Sequence, residues 1–192
     1  MTRSLPAVTF MNMLFPNHRI LCHRPTRAFA MMTMAVLLGI VTSTGRAGAL
    51  KTGDSLPDLA GFALEGKIPE YKGRVVLLDF WASWCAPCKQ SFPVLKEMHE
   101  KFGPRGFLVL AVSVDEQAST MQAFLKKQQP VFPVLRDPKG RLAESAGLDK
   151  MPTSLLISAD GKVVAIHSGF EGEPTRKLYL SEIEAALKSA GK

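Results

Sequence analysis

One stretch near the middle of the chain reads Val75-Val76-Leu77-Leu78-Asp79-Phe80-Trp81-Ala82-Ser83-Trp84-Cys85-Ala86-Pro87-Cys88-Lys89. Its first seven residues are apolar apart from one aspartate, which is the pattern of a central strand covered on both faces. From Ala86 to about Lys101, apolar side chains recur at three- and four-residue spacing, which predicts an amphipathic helix. The two cysteines, with two residues between them, therefore lie where a buried strand gives way to a helix.

Strands and helices alternate on the C-terminal side of this stretch. Residues 107–114 predict a second buried strand and residues 119–128 a second amphipathic helix, so the β-α-β order implies parallel strands. The remaining predicted elements are a strand at 131–135, a helix at 140–146, strands at 154–158 and 163–167, and a helix at 174–187. Asp160-Gly161, between the last two strands, is a strong hairpin signal.

On the N-terminal side, residues 50–73 are rich in glycine, proline and mixed polar positions. Phe62 and Leu64 alternate before Glu65-Gly66-Lys67, which favours an irregular lead-in that contains a short hairpin. The sequence therefore predicts an α/β fold, with a central mixed sheet flanked by helices and an N-terminal hairpin extension.

Composition favours one packed domain plus an extra segment. The chain has 192 residues, of which 46% are apolar and 21% charged, and this excludes a disordered chain and a protein with many membrane spans. The net charge of +7 is uneven, because residues 1–49 hold five arginines and no acidic residue, which leaves +2 for residues 50–192. A body so nearly neutral gives no electrostatic reason to bind nucleic acid or anionic lipid.

The first 49 residues have the layout of a secretory signal. Arg19, Arg24 and Arg27 precede an apolar run at residues 28–41, and Ala47-Gly48-Ala49 would allow cleavage before Leu50. The run is shorter than the roughly 20 residues that a bilayer core requires. The alternative is an uncleaved membrane anchor, because residues 42–44 could extend the span. In either case we expect residues 50–192 to form a domain in the periplasm or another extracytoplasmic space.

The cysteines indicate redox chemistry. Cys22 lies in the leader, so Cys85 and Cys88 are the pair that needs explaining in a compartment where thiols meet oxidants. Two cysteines so spaced can close a disulfide across the first turn of a helix. A helix start favours the thiolate, so Cys85 is the predicted nucleophile. Cys88, the more shielded thiol, would attack the mixed disulfide and release the substrate.

Two other uses of the pair are less favoured. A zinc site needs two further ligands, but His99 and His167 are scattered and show no paired spacing, so no metal or other cofactor is expected. A purely structural disulfide is also a poor explanation, because closing so short a loop removes little entropy from the unfolded chain.

Asp79 interrupts the apolar run of the central strand. A carboxyl group in such surroundings should have a raised pKa, which suits a group that exchanges a proton with Cys88. The alternative is an acid that reaches solvent at the end of the strand or pairs with Lys89.

The stretch from Asp79 to Lys89 resembles the active-site segment of thioredoxin-fold proteins, and more narrowly that of the TlpA-like exported thiol reductases. The likeness runs from about Pro57 to Leu187 and includes an added segment near 118–141 and the tripeptide Met151-Pro152-Thr153. It implies a thioredoxin fold and catalysis by Cys85 and Cys88, with Asp79 as their acid.

The resemblance also implies a substrate-binding set of Trp84, Met151 and Pro152. Pro152 would carry a cis peptide bond and lie against the disulfide, and the backbone of Met151 would present a strand edge to the substrate. A trans proline that merely starts a strand is the alternative. Trp84 would lie beside the dithiol or form an exposed contact surface.

The function implied is reduction of disulfides in extracytoplasmic proteins, such as apocytochromes or metal-site assembly proteins. A membrane-embedded electron donor would keep the pair in its dithiol form, and contact with the membrane would be limited to the N-terminal segment. A thiol oxidase and a redox-independent client-binding module remain the alternatives, since an oxidase uses the same cysteines and differs only in reduction potential.

Overall fold

The computed structural model describes residues 48–192, so the predicted signal peptide or anchor lies outside the described residues except for its last two positions. The helices and strands are β1 (Val75–Trp81), α1 (Ala86–Phe102), β2 (Phe107–Ser113), α2 (Ala118–Gln128), β3 (Val134–Arg136), α3 (Arg141–Ala146), β4 (Thr153–Ile157), β5 (Val163–Ser168) and α4 (Glu173–Ser189). Within this part of the chain, none of the helices is both long enough and apolar enough to cross a membrane.

The strands form one mixed sheet in the order β3-β2-β1-β4-β5. β1 runs parallel to β2 and antiparallel to β4, and β2 and β3 are also parallel. β4 and β5 form the antiparallel hairpin that Asp160-Gly161 predicted. The α/β fold with a central mixed sheet is therefore confirmed, and the segment near 118–141 supplies α2 and the edge strand β3.

β1 lies at the centre of the sheet, and all seven of its residues are buried. Because side chains alternate along a strand, Val75, Leu77, Asp79 and Trp81 point to one face. That face packs under α1 and α4, in an apolar cluster that includes both cysteines. The opposite face packs against the lead-in and α3. The central strand thus carries Asp79 directly into the cysteine cluster.

The short hairpin predicted in the lead-in, residues 50–73, is not formed. Residues 59–62 make a turn of 3-10 helix instead. Ser55 pairs with Lys162 beside β5, while Glu65 pairs with Arg136 at the end of β3. The two halves of the lead-in are therefore hydrogen-bonded to opposite edges of the sheet and cannot pair with each other.

β3 begins later than predicted. The strand expected at 131–135 covers only Val134–Arg136 in the structure. Pro133 has no N–H with which to extend the ladder, although its carbonyl accepts a 3.1 Å hydrogen bond from the N–H of Ala111. The proline therefore sets where regular pairing starts.

Candidate active site

Cys85 is the residue that caps α1 where the chain arrives from β1. Its backbone is extended, with φ −81° and ψ 112°, and the helix begins at Ala86. A disulfide joins it to Cys88, and the two Cα atoms lie 5.3 Å apart. The predicted pair is thus closed across the first turn of the helix.

The start of α1 directs backbone N–H groups at the Cys85 sulfur. The N–H of Cys88 donates to Cys85 Sγ over 3.3 Å, and Pro87 stands in the first turn, where a missing N–H costs no intrahelical bond. Such a helix start stabilises a thiolate. Cys88 is completely buried while Cys85 keeps 6% of its surface exposed, so Cys88 is the more shielded sulfur, as predicted.

Met151 and Pro152 lie in the loop between α3 and β4, and the peptide bond between them is cis, as the resemblance implied. Pro152 is buried, and its carbonyl accepts a 2.7 Å hydrogen bond from the N–H of Gly169. Met151 packs on the cluster that holds the cysteines. In the part of the chain that the structure describes, Met151 makes no backbone hydrogen bond, so its N–H and C=O remain available to another polypeptide.

Asp79 is completely buried. Its partner across the β1–β4 ladder is Ser154, whose hydroxyl donates to Asp79 Oδ1 over 2.5 Å, while Oδ2 has no hydrogen-bond partner among the described residues. Burial raises the pKa of this carboxyl group from 3.8 to about 7, and the hydrogen bond from Ser154 opposes the rise. The raised pKa is confirmed, and the alternative in which the side chain reaches solvent is excluded.

The two tryptophans near the disulfide have different surroundings. Trp81 is completely buried, and its ring packs edge-on against Phe92 with 4.8 Å between the ring centroids. Trp84, which precedes Cys85, is 68% exposed. Trp81 therefore belongs to the core beneath the site, whereas Trp84 forms an apolar surface beside the disulfide.

Asp115, just beyond β2, fixes the loop before Cys85, and no sequence pattern had pointed to it. Its carboxylate accepts hydrogen bonds from the N–H and the hydroxyl of Ser83, over 3.0 and 2.7 Å, and from the hydroxyl of Ser113 over 2.7 Å. The sequence did offer a signal, because Asp115 comes directly after a buried strand. The carboxyl ends of neighbouring parallel strands lie at the same edge of the sheet, so this acid could have been expected near the loop that follows β1. Ser154 was missed as well, although a polar residue inside a buried strand is a comparable signal.

The two histidines considered as metal ligands are engaged elsewhere. His99 Nδ1 accepts a 3.3 Å hydrogen bond from the N–H of Val109, and His167 Nε2 lies 2.6 Å from Glu182 Oε2. Between residues 48 and 192, no three His, Cys, Asp or Glu side chains are grouped as ligands of a metal ion would be. The two sulfurs at the helix start, with a buried acid on the same face of the sheet, can carry out thiol–disulfide exchange.

Comparison with known proteins points to the same chemistry. The sequence profile of the Redoxin family matches residues 51–187. The thiol-disulfide oxidoreductase ResA of Bacillus thuringiensis subsp. konkukian (strain 97-27) is 30% identical over 164 residues, which cover 81% of this chain and 95% of that protein. ResA of Bacillus subtilis (strain 168) is 32% identical over 129 residues, or 67% of this chain and 71% of the relative.

A solved structure extends the likeness to the fold. The crystal structure of a Chlorobium tepidum protein assigned as thiol:disulfide interchange protein DsbE is 42% identical, with a TM-score of 0.67. The match covers 72% of this chain and 99% of that one. The Redoxin match, over residues 51–187, spans the disulfide and the cis-proline loop. The chain belongs to the Redoxin family, and it is a thiol:disulfide oxidoreductase of thioredoxin fold that carries Cys85 and Cys88 as its redox pair.

Proposed function

We propose that this oxidoreductase works as a reductase of protein disulfides outside the cytoplasm. The observation that carries the proposal is that a fully buried acid, Asp79, points into the apolar cluster that encloses Cys85 and Cys88. A redox pair whose shielded thiol lies on the same side of the sheet as a buried proton acceptor is suited to releasing a substrate as two thiols.

The reaction starts from the dithiol form of the pair. The Cys85 thiolate attacks one sulfur of a substrate disulfide, which forms a mixed disulfide and releases the first substrate thiolate. Cys88 then loses its proton and attacks Cys85 Sγ, which closes the Cys85–Cys88 disulfide and releases the second substrate thiolate. Two electrons pass from the dithiol to the substrate, and the substrate thiolates take up two protons.

In this scheme Asp79 is the group that receives the proton of Cys88. A carboxyl group with a pKa of about 7 can both take up and return a proton near neutral pH. At the ordinary pKa of 3.8 it would be too weak a base to hold a proton taken from a thiol. Its burial is therefore what makes the acid useful to the exchange.

The substrate is a polypeptide that lies along Met151 and Trp84. The free N–H and C=O of Met151 would pair with an extended chain as an added strand, and the buried cis Pro152 would hold that edge beside the disulfide. The exposed ring of Trp84 offers apolar contact next to Cys85. These contacts would recognise the backbone and apolar groups of the substrate. They therefore suit many extended polypeptides rather than one particular sequence.

We infer the working compartment from the leader and the electron donor from the resemblance to the TlpA-like exported thiol reductases. Residues 1–49 act either as a cleaved signal peptide or as an anchor, and they place the domain of residues 50–192 in the periplasm or another extracytoplasmic space. A membrane-embedded donor of electrons returns the pair to its dithiol form after each cycle. The export step is tested by fusing alkaline phosphatase after residue 49, because that enzyme is active only where disulfides form. Inactive fusion protein would overturn the proposed location.

The reduction potential of the Cys85–Cys88 couple tests the direction of electron flow. We expect a value near that of thioredoxin, about −270 mV, when tryptophan fluorescence is followed in dithiothreitol redox buffers. A value near about −120 mV, as in a strong oxidant, would assign the protein as a thiol oxidase instead.

Replacing the nucleophile separates an enzyme from a redox-independent client-binding module. Cys85→Ser should abolish insulin reduction, whereas Cys22→Ser, the matched change at the remaining cysteine, should leave it intact. Retention of full activity by Cys85→Ser would contradict the proposed mechanism.

A further inference from the structure

Asp79 is the end of a buried chain of three side chains from three elements. Ser154 on β4 donates its hydroxyl hydrogen to Asp79 Oδ1 over 2.5 Å, and its Oγ also lies 2.7 Å from the hydroxyl of Tyr179 on α4. All three residues are no more than 1% exposed. Nothing in the exchange chemistry described above uses Ser154 or Tyr179.

The geometry assigns the donor and the acceptor of each hydrogen bond in this series of three side chains. Ser154 has one hydroxyl hydrogen, and it is used on Asp79, so the hydrogen between Ser154 and Tyr179 must come from the phenol. Burial and the nearby Asp79 raise the pKa of Tyr179, so the phenol stays protonated and can donate. A donor that is itself polarised by a further donor holds a carboxylate oxygen more firmly.

The two oxygens of Asp79 are therefore unequal. Oδ1 is occupied by Ser154, whereas Oδ2 is buried and has no hydrogen-bond partner in the described part of the chain. We propose that Ser154 and Tyr179 are positioning residues of the exchange reaction, which hold Asp79 by Oδ1 so that Oδ2 alone exchanges a proton with Cys88. This inference rests on the proposed role of Asp79 as the proton acceptor.

Few other ionisable groups face this chain. On β1 and its neighbour β2, the residues beside Asp79 are apolar, and Ala111 is its partner across the parallel ladder. On β5, the ring of His167 packs edge-on against Tyr179 at 5.2 Å, and His167 is paired with Glu182 of α4. On α1, Cys88 is held in the disulfide. No lysine or arginine of residues 48–192 hydrogen-bonds to Asp79, so Ser154 is its hydrogen-bond partner among these residues, and Tyr179 reaches Asp79 only through Ser154.

The test measures the protonation of Asp79 and the pH profile of the reaction in the same variants. A hydrogen bond to a charged group is strong enough that its loss in Ser154→Ala should raise the Asp79 midpoint by about one pH unit. Tyr179→Phe, which keeps the ring and removes only the second donor, should raise it by less. The midpoint is read from the carboxyl carbon resonance of labelled aspartate, and the pH profile from insulin reduction by the full chain.

The rate of insulin reduction should change with the titration midpoint of Asp79. At pH 7, a rise of one unit lowers the ionised fraction of Asp79, and with it the rate of insulin reduction, about fivefold. Ser154→Thr restores the hydroxyl and should restore the profile. Ser181→Ala and Tyr71→Phe make the same chemical changes at residues that do not belong to the Asp79–Ser154–Tyr179 series, and they should not shift the pH profile.

The outcomes separate this inference from the proposed function. If Asp79→Asn leaves the reaction and its pH profile unchanged, the proposed role of Asp79 is wrong. If Asp79→Asn slows the reaction but neither Ser154→Ala nor Tyr179→Phe moves the midpoint, the positioning role alone is overturned. It is also overturned if Ser154→Ala slows the reaction equally in an Asp79→Asn background. Should Ser154→Ala fail to fold, Tyr179→Phe decides by the presence or absence of its upward shift.

Discussion

Asp79 shows how one buried acid makes stability depend on pH. The folded state keeps a proton on this group up to a pH of about 7, whereas the unfolded chain releases it near 3.8. Stability therefore falls as the pH rises between these values, because the folded state binds the extra proton. At about 1.4 kcal/mol per unit, the loss by pH 8 is on the order of 4 kcal/mol.

Asp79→Asn should remove this loss. We expect the variant to have a higher free energy of unfolding than the parent at pH 8, by roughly 4 kcal/mol, and little advantage at pH 4. Urea unfolding of the oxidised protein at the two pH values measures the difference. If the change in free energy of unfolding were the same at pH 8 and pH 4, Asp79 would not be ionised in the folded state at pH 8.

Asp115 supports the loop that carries the nucleophile, so its replacement should affect both stability and the rate of insulin reduction. Asp115→Ala leaves the N–H and hydroxyl of Ser83 and the hydroxyl of Ser113 without an acceptor, so we expect a loss of about 2–3 kcal/mol in the free energy of unfolding. Insulin reduction should slow as well, because Ser83 lies two residues before Cys85. Glu70→Ala, which removes an exposed carboxylate of the lead-in, is the control and should change neither quantity.

Among individual residues, the sequence predicted those that stand out from their neighbours along the chain. Cys85, Cys88 and Asp79 stand out within one short stretch, and the cis bond before Pro152 followed from a resemblance. Ser154, Tyr179 and Asp115 were not predicted, because each matters through a partner that only the strand order and the helix packing bring near.

At the scale of elements, the cation Arg136 joins the second half of the lead-in to the sheet. Arg136, at the end of β3, is 7% exposed and donates to both carboxylate oxygens of Glu65, over 2.6 and 2.7 Å. It also donates to the carbonyls of Asp115 and Glu116, over 3.2 and 2.7 Å. One side chain thus ties the lead-in and the loop after β2 to the edge of the sheet.

Removing the cation should cost more than removing the acid. Arg136→Met leaves two carbonyls without their donor and should lower the free energy of unfolding by about 2–3 kcal/mol. Glu65→Gln should cost less than about 1 kcal/mol, because the amide oxygen of glutamine can still accept a hydrogen bond from Arg136 and the side chain at this position is 54% exposed, so water can supply the rest. Equal losses in urea titrations of the two variants would contradict this ordering.

The same region shows where sequence patterns stop being informative. β1 and β2 were predicted nearly to the residue, because a continuous apolar run has one interpretation when it is flanked by turn residues. The hairpin interpretation of the alternation at Phe62 and Leu64 was wrong, because Phe62 lies in a turn of 3-10 helix and backbone pairing in this half begins at Glu65. The lead-in pairs with Arg136 and Lys162, which are far away along the chain.

For the molecule as a whole, both apolar clusters of the described residues are built from positions at or after Leu50. We therefore expect residues 50–192 alone to fold cooperatively and to reduce insulin at the rate of the full chain. Circular dichroism on heating and the insulin assay check both statements. Failure of the shorter chain to fold would show that the leader contributes to the core.

β1 is hydrogen-bonded along both edges, to β2 and β4, and none of its side chains reaches the surface. Its amide hydrogens should be among the slowest in the molecule to exchange for deuterium, because such a strand opens only when everything around it opens. Asp79 therefore has no route to the medium through breathing of its own strand. Under the role proposed for Asp79, its proton leaves through Cys88, so proton release is coupled to the opening and closing of the disulfide.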